Sequence, residues 1–296
     1  MKTPLDPKPF RVNGKSSLKL HKAATELPQH LYKNAVDLKT KLTAYQDTID
    51  ELQQKMYAQD RQGLLLILQA MDAAGKDGTL KHVMSGINPC GVEVQSFKRP
   101  SDEELSHTYL WRCAKVAPPR GSIGIFNRSY YEEVLICKVH PEIVTKYQHL
   151  PAEATEKLGK LWEQRYEDIR NYETHLVRNG IQVVKIFLNV SKGEQKKRFL
   201  ERIETPAKNW KFNADDVKER AHWDEYMDAY ETAINETAAK SAPWYVVPAD
   251  DKGDMRLIVS AILLHHLREM KLSWPKLPAE QLASLAEAKA TLLAEK

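Results

Sequence analysis

The run Gln69-Ala70-Met71-Asp72-Ala73-Ala74-Gly75-Lys76-Asp77-Gly78-Thr79 carries the most specific chemistry in the chain. Small residues in a tight turn expose successive backbone amides, and a helix opening there adds partial positive charge, so together they form an anion cradle. Lys76 supplies a mobile cation for phosphoryl oxygens. The run departs from the usual phosphate-binding loop in two places, because Ala70 stands at its first glycine and Asp77 at the Ser or Thr that normally holds magnesium. An ordinary strand-to-helix turn is the plain alternative. Asp72 argues for the cradle: a carboxylate inside an anion loop repels phosphate unless a divalent ion sits between them.

A second cluster, Asn127-Arg128-Ser129-Tyr130-Tyr131-Glu132-Glu133, follows the apolar run Ile123 to Phe126. Ligands of parallel α/β sheets gather beyond the carboxyl ends of the strands, so this cluster is expected to face the same crevice. Arg128 can spread charge over a transferring phosphoryl group, and Glu133 can help hold magnesium. A surface arginine before an acidic helix start is the alternative. The third feature is Ser191 to Arg220, where Lys192, Lys196, Lys197, Arg198, Arg202, Lys208, Lys211, Lys218 and Arg220 outnumber six acidic residues. Arg198 and Arg202, four apart, share a helical face. A break at Thr205 to Phe212 before a new helix near Asp215 makes a basic helix-loop-helix hairpin. It reads either as a phosphate-closing lid or as a solvated charged surface.

The elements that must position these groups are legible from apolar texture. Leu64 to Leu68 is an unbroken apolar run, suited to a strand buried on both faces, and Val92 to Phe97, Ile123 to Phe126, Val183 to Leu188 and Trp244 to Val247 repeat it. Helical stretches separate them, which predicts an α/β sheet with helices on both sides. Apolar residues every three or four from Pro28 to Gln59 predict a long amphipathic helix. Capping boxes are expected at Ser101 with Glu104 and at Ser191 with Glu194. A helix from about Ala152 to Asn179 should stop at Gly180, and a last helix spans about Pro278 to Glu295. Residues 1–27 read as an extended arm.

The 296 residues are 42% hydrophobic and 28% charged, which excludes disordered and fibrous classes. A formal net charge of +4 is too mild to declare a nucleic-acid-binding protein, so an anionic partner must meet a local patch. Cys90, Cys113 and Cys137 lack metal-knuckle spacing and read as thiols in a reducing compartment. With no apolar stretch long enough for a signal or membrane span, a cytoplasmic location is expected.

Taken together, the three clusters resemble the polyphosphate kinase family 2. The resemblance rests on Asp72 to Gly78, on Phe126 to Glu132, and on Trp210-Lys211-Phe212 followed by Glu219-Arg220 and Trp223, with Phe97, Leu110-Trp111-Arg112 and Ala242 to Ala249 also similar. It implies an α/β, P-loop, thymidylate-kinase-like three-layer sandwich with a parallel sheet and a helical lid. It implies dependence on Mg2+, with Mn2+ as a substitute, and transfer of phosphate from inorganic polyphosphate to AMP or ADP. On this resemblance Asp72, Lys76 and Arg128 are catalytic, and Asp72 and Glu133 hold the metal. Ala73, Ala74, Gly75, Asp77, Gly78, Thr79, Lys81, Arg198, Arg202, Lys211 and Arg220 join Lys76 and Arg128 along the polyphosphate. Asn127, Arg128 and Tyr131 meet the nucleotide, which is adenine or guanine based. Asn127 matches the subgroup that phosphorylates both mono- and diphosphates. Two departures stand out: Glu133 replaces an Asp common in that subgroup, and Lys252-Gly253-Asp254-Met255 lacks an aromatic that relatives often place after the lysine.

The implied organisation is an arm at 1–27, a kinase domain at 28–270 with a lid at about 198–222, and a helical extension at 271–296, assembled as a homo-oligomer, a dimer or tetramer. Membrane and nucleic acid are not expected partners. An anionic acceptor needs no general base, so no catalytic histidine is expected. Two rival readings are an ATP-dependent nucleoside or nucleotide kinase of the same fold and a nonenzymatic polyanion-binding protein.

Overall fold

A computed structural model describes residues 4–12, 14 and 17–295. Six strands, β1 (Arg11–Val12), β2 (Gly63–Ala70), β3 (Val92–Ser96), β4 (Ile123–Asn127), β5 (Ile181–Asn189) and β6 (Trp244–Pro248), form one sheet in the order β1-β6-β5-β2-β4-β3. All neighbours are parallel except β1 with β6. The apolar runs account for β2, β4, β5 and β6, whose residues are almost wholly buried. β3 differs from expectation: four of its five residues are exposed, because it is the sheet edge. Two-residue β1, contributed by the arm, has too little pattern to be seen in sequence.

The principal helices are α1 (Ala35–Gln59), α2 (Lys76–Val83), α3 (Leu158–Arg178), α4 (Lys192–Glu204), α5 (Trp223–Thr237), α6 (Lys252–Glu269) and α7 (Ala279–Ala294). The α1 helix starts later than its apolar periodicity suggests, since Asn34 caps it by accepting from the Asp37 amide at 3.0 Å. The stretch expected to be one helix from Ala152 breaks at Glu156 and Lys157, and α3 then ends at Arg178, two residues before Gly180, whose φ of +88° suits glycine. The Ser101 capping box is complete. At Ser191 only half forms: its hydroxyl accepts from the Glu194 amide, whereas the Glu194 carboxylate turns to Arg198.

From central β2 the chain crosses through α2 toward β3, then returns past β4 and through α3 to β5 on the other side. Right-handed crossovers in opposite directions place α2 on one face and α3 and α5 on the other, a three-layer α/β sandwich. The loops after β2, β4, β5 and β6 therefore open at the same end. The arm closes over the far side through buried Leu20, whose amide donates to Glu231 Oε2 at 2.7 Å. The α7 helix is exposed along its length, Leu282, Leu285, Leu292 and Leu293 included. Among the described residues no helix is long and apolar enough to cross a membrane.

Candidate active site

After β2 the backbone passes through two left-handed residues, Ala73 at φ +62° and Gly75 at φ +107°, before α2 begins at Lys76. These turns fold the loop over the helix start, where first-turn amides lack intrahelical partners. The Lys76 ammonium folds back to donate to the Ala70 carbonyl at 2.8 Å. Burial, and secondarily the neighbouring Arg128 charge, push its pKa down to about 8.

The strand β4 delivers Asn127 and Arg128 beside this loop. Asn127 Nδ2 donates to Asp77 Oδ1 at 2.8 Å. Arg128, left-handed at φ +66°, sends NH2 to Asp72 Oδ1 at 2.7 Å and places NH1 3.8 Å from Glu132 Oε2. Those carboxylates, Glu132 first, raise the guanidinium pKa further and keep it charged. Asp72, Lys76 and Arg128 thus meet as the sequence reading places them. They stand in a cleft of about 710 Å³ lined by nine cationic side chains and three carboxylates.

Other sequence assignments fall elsewhere. Glu133, proposed for metal, is buried and turned from the cleft; its carboxylate takes Arg165 NH1 at 3.3 Å and the Gln148 amide. Glu132, its neighbour, faces Arg128 instead. Gln69, with its amide oriented to satisfy both partners, donates to Glu132 Oε1 at 2.9 Å. Tyr131, proposed for nucleotide, is fully buried with its hydroxyl on Glu173. Thr79 is buried, donating to the Gly75 carbonyl at 3.0 Å, and Ala74 is buried too. Lys81 is exposed outside the cleft lining, and the Lys211 side chain lies outside the described residues.

Arg198 is the largest correction. Instead of reaching for phosphate, its guanidinium is 5% exposed and gives all five donors to protein: Nε to Glu194 Oε1, NH1 to the Ala73 and Ala74 carbonyls, NH2 to those of Ala249 and Asp250. It fastens the phosphate loop to α4 and to the loop after β6. Arg220 plays a related part, donating to Gln195 Oε1 at 2.7 Å while Gln195 Nε2 donates to the Asp72 carbonyl at 2.9 Å. Met255, in the segment where the sequence departs from the resemblance, is buried behind this loop with its sulfur 3.6 Å from Thr79 Oγ1.

The structure adds residues the sequence did not single out. Lys98, Arg99, Lys252 and Arg256 line the cleft alongside Arg202, and none of the five forms an ion pair among the described residues. Asp216 approaches from the hairpin, its carboxyl pKa raised by burial and then by the charge of Asp72. A separate cleft of about 680 Å³ opens beside the first, walled by Tyr109, Gln148, Gln164 and Asp168 among others. No histidine lines the phosphate-loop cleft; buried His266, with its pKa pushed down to about 3 by burial, pairs with the Tyr245 hydroxyl.

Comparison with known proteins identifies the family. Residues 32–275 match the family model Polyphosphate kinase 2. An ADP-polyphosphate phosphotransferase from Rhodopseudomonas palustris is 48% identical over 290 residues, covering 97% of this chain and 98% of the relative. An AMP/ADP-polyphosphate phosphotransferase from Meiothermus ruber is 40% identical, covering 77% and 80%. The crystal structure of polyphosphate kinase 2 from Arthrobacter aurescens TC1 superposes with a TM-score of 0.84 at 39% identity, covering 97% of this chain and 99% of that one. A match over most of the chain in sequence and in fold means that this chain belongs to the polyphosphate kinase 2 family.

Proposed function

We propose that this protein transfers the terminal phosphate of inorganic polyphosphate to AMP or ADP, reversibly. The observation that carries the reading is the convergence of Asp72, Lys76 and Arg128 in a cleft whose lining carries five cations outside any ion pair among the described residues. A linear polyanion presents one charge after another and can meet such a row; a single phosphate would leave most of it unused. The relatives' names agree, and they do not favour ATP as donor.

Phosphotransferases of this family use a divalent cation. The residues that would hold one are Asp72 and, across Arg128, Glu132, whose hard carboxylate oxygens are of the kind that Mg2+ or Mn2+ takes. Once bound, such an ion neutralises charge on the phosphates. Loop amides and Lys76 hold the transferred phosphoryl group, and Arg128 spreads the charge that accumulates in a loose, in-line transition state. The acceptor oxygen is already anionic, so no residue need remove a proton from it. Asn127 borders the acceptor phosphate. The adjacent cleft, with amides and an aromatic ring in its wall, receives the base and ribose. Homo-oligomer formation is read onto exposed α7.

The test is direct: pure protein, polyphosphate, Mg2+ and either AMP or ADP, with nucleotides separated over time. ADP or ATP is expected to accumulate only when polyphosphate is present, and a product-free reaction would sink the reading. Comparing initial rates on AMP, ADP and the guanine nucleotides ranks the acceptors.

The low pKa of Lys76 sets a pH dependence. Its ammonium is charged below about 8 and is lost above, while the acidic ionisations of phosphate lie lower, so the KM for polyphosphate should rise as pH climbs from 7.5 to 9.5. The limiting slope is about tenfold per pH unit. Lys76→Arg, charged throughout, should flatten the profile; an unchanged slope would remove Lys76 as its source.

A further inference from the structure

We propose that Glu173 is a positioning residue for phosphoryl transfer, holding the turn that presents Arg128 and Glu132 to Asp72. The inference rests on the phosphate-handling role of Arg128 proposed above.

Within the turn the bonds are short-range: the Ser129 carbonyl accepts from the Glu132 amide at 3.1 Å and the Ser129 hydroxyl from the Tyr131 amide at 3.2 Å. Arg128 is left-handed, Ser129 is extended, and a 3₁₀ turn, Tyr130–Val134, follows. Such turns make few and poorly aligned backbone bonds. Its anchor is instead two tyrosines pointing into the core, each fully buried. Both hydroxyls converge on one oxygen: Tyr130 donates to Glu173 Oε1 at 3.0 Å and Tyr131 at 2.8 Å. The other carboxylate oxygen takes Lys185 Nζ, which also donates to the Thr237 carbonyl at 2.8 Å. Thr237 Oγ1 lies 2.8 Å from the Tyr131 hydroxyl and accepts from Trp244 Nε1 at 2.9 Å. One carboxylate on α3 thereby ties the site turn to β5, α5 and β6.

Stability alone does not require this network. Glu173 is 2% exposed and Lys185 not exposed at all, and an ion pair at that depth gains little over well-packed apolar residues of the same volume. What a fully satisfied polar network adds is a single fixed geometry. Burial, reinforced by Glu173, raises the pKa of both phenols well above the usual value, so they stay protonated donors. The residues they fix are flanked by Arg128 on one side and Glu132 on the other, and a displacement of about 1 Å at a reacting centre can cost about a hundredfold in rate.

The test deletes only the two hydroxyls, with Tyr130→Phe/Tyr131→Phe, and leaves the Glu173–Lys185 pair intact. Melting temperature, kcat, and KM for polyphosphate and nucleotide are measured for this variant in the wild-type background and in Arg128→Lys. We expect kcat to fall about tenfold with both KM values within twofold. We expect the same substitutions to change kcat less than twofold in Arg128→Lys, where the group they position is already gone. Unchanged kcat in the wild-type background, a loss confined to KM, or an equal loss in both backgrounds would each overturn the proposal. Should the double variant not fold, Tyr130→Phe alone is read the same way, with a drop of about threefold. Wild-type protein lacking polyphosphate-dependent activity would overturn the functional reading, and this inference with it.

Discussion

Arg128→Gly is expected to lower kcat by about a thousandfold while moving the melting temperature by no more than a few degrees. Both halves follow from position 128. The guanidinium is the charged group that bridges Asp72 and Glu132, and on the proposed reading it is the one that spreads the charge of the transition state. Glycine is chosen because the residue sits at φ +66°. A side chain in that region costs about 1–2 kcal/mol, which glycine recovers. Against this stand the freedom glycine gains when unfolded, about 0.5–1 kcal/mol, and the loss of ion pairs that are about one-third exposed, about 0–1 kcal/mol. The contributions nearly cancel. A variant retaining more than a tenth of wild-type kcat would contradict the assigned role. Polyphosphate binding offers a second readout: without the Arg128 charge beside it, the Lys76 pKa rises, so the decline in affinity should move to higher pH.

Arg198→Ala is expected to have the opposite profile, a large loss of stability from a residue whose donors are all taken by protein. Four carbonyls and the Glu194 carboxylate lose their donor together. A buried acceptor left without a partner costs about 1–3 kcal/mol, and water entering the vacated space recovers part of it, leaving a net loss of about 4 kcal/mol. For a chain of this size that lowers the melting temperature by about 10 °C. Arg198→Lys should fare little better, since an ammonium cannot serve four carbonyls on two loops and the Glu194 carboxylate as well. Arg202→Ala, four residues on and outside any ion pair, should melt with the wild type and raise only the polyphosphate KM. Equal melting temperatures for the two alanine variants would refute this division of labour.

The contrast shows what the sequence could and could not disclose. Five of the six strands are legible, four of them because burial on both faces demands an unbroken apolar run, and the phosphate loop because its glycine and lysine sit between such a run and a helix. Arg198 and Arg202 look alike in sequence, sharing a helical face at a spacing of four. What separates them is the pair of loops that pack against one and miss the other, a long-range fact. Glu132 and Glu133 pose the same problem at closer range. In a turn that winds once and stops, adjacent carboxylates point in unrelated directions, and only the i to i+4 spacing from Arg128 hinted that Glu132 was the one to watch. Tyr131 belongs to a recognisable motif but supports the site from below. The arm's strand β1 is two residues long, too short for any periodicity to register.

Arg198 and Arg220 also decide how the basic hairpin bears a load. Arg198 rivets one foot of it to the phosphate loop, and Arg220 clamps the other to Lys192 and Gln195, with Gln195 itself gripping the Asp72 carbonyl. Further out, Asn209 staples the 3₁₀ segment to the end of α4 through the Arg202 and Ile203 carbonyls. Mechanically this is a cantilever with a built-in root, not a door on a hinge. On the proposed reading, a polyanion drawn against Arg202 near the tip would load these bonds, and the pull would pass through Gln195 to the backbone of Asp72.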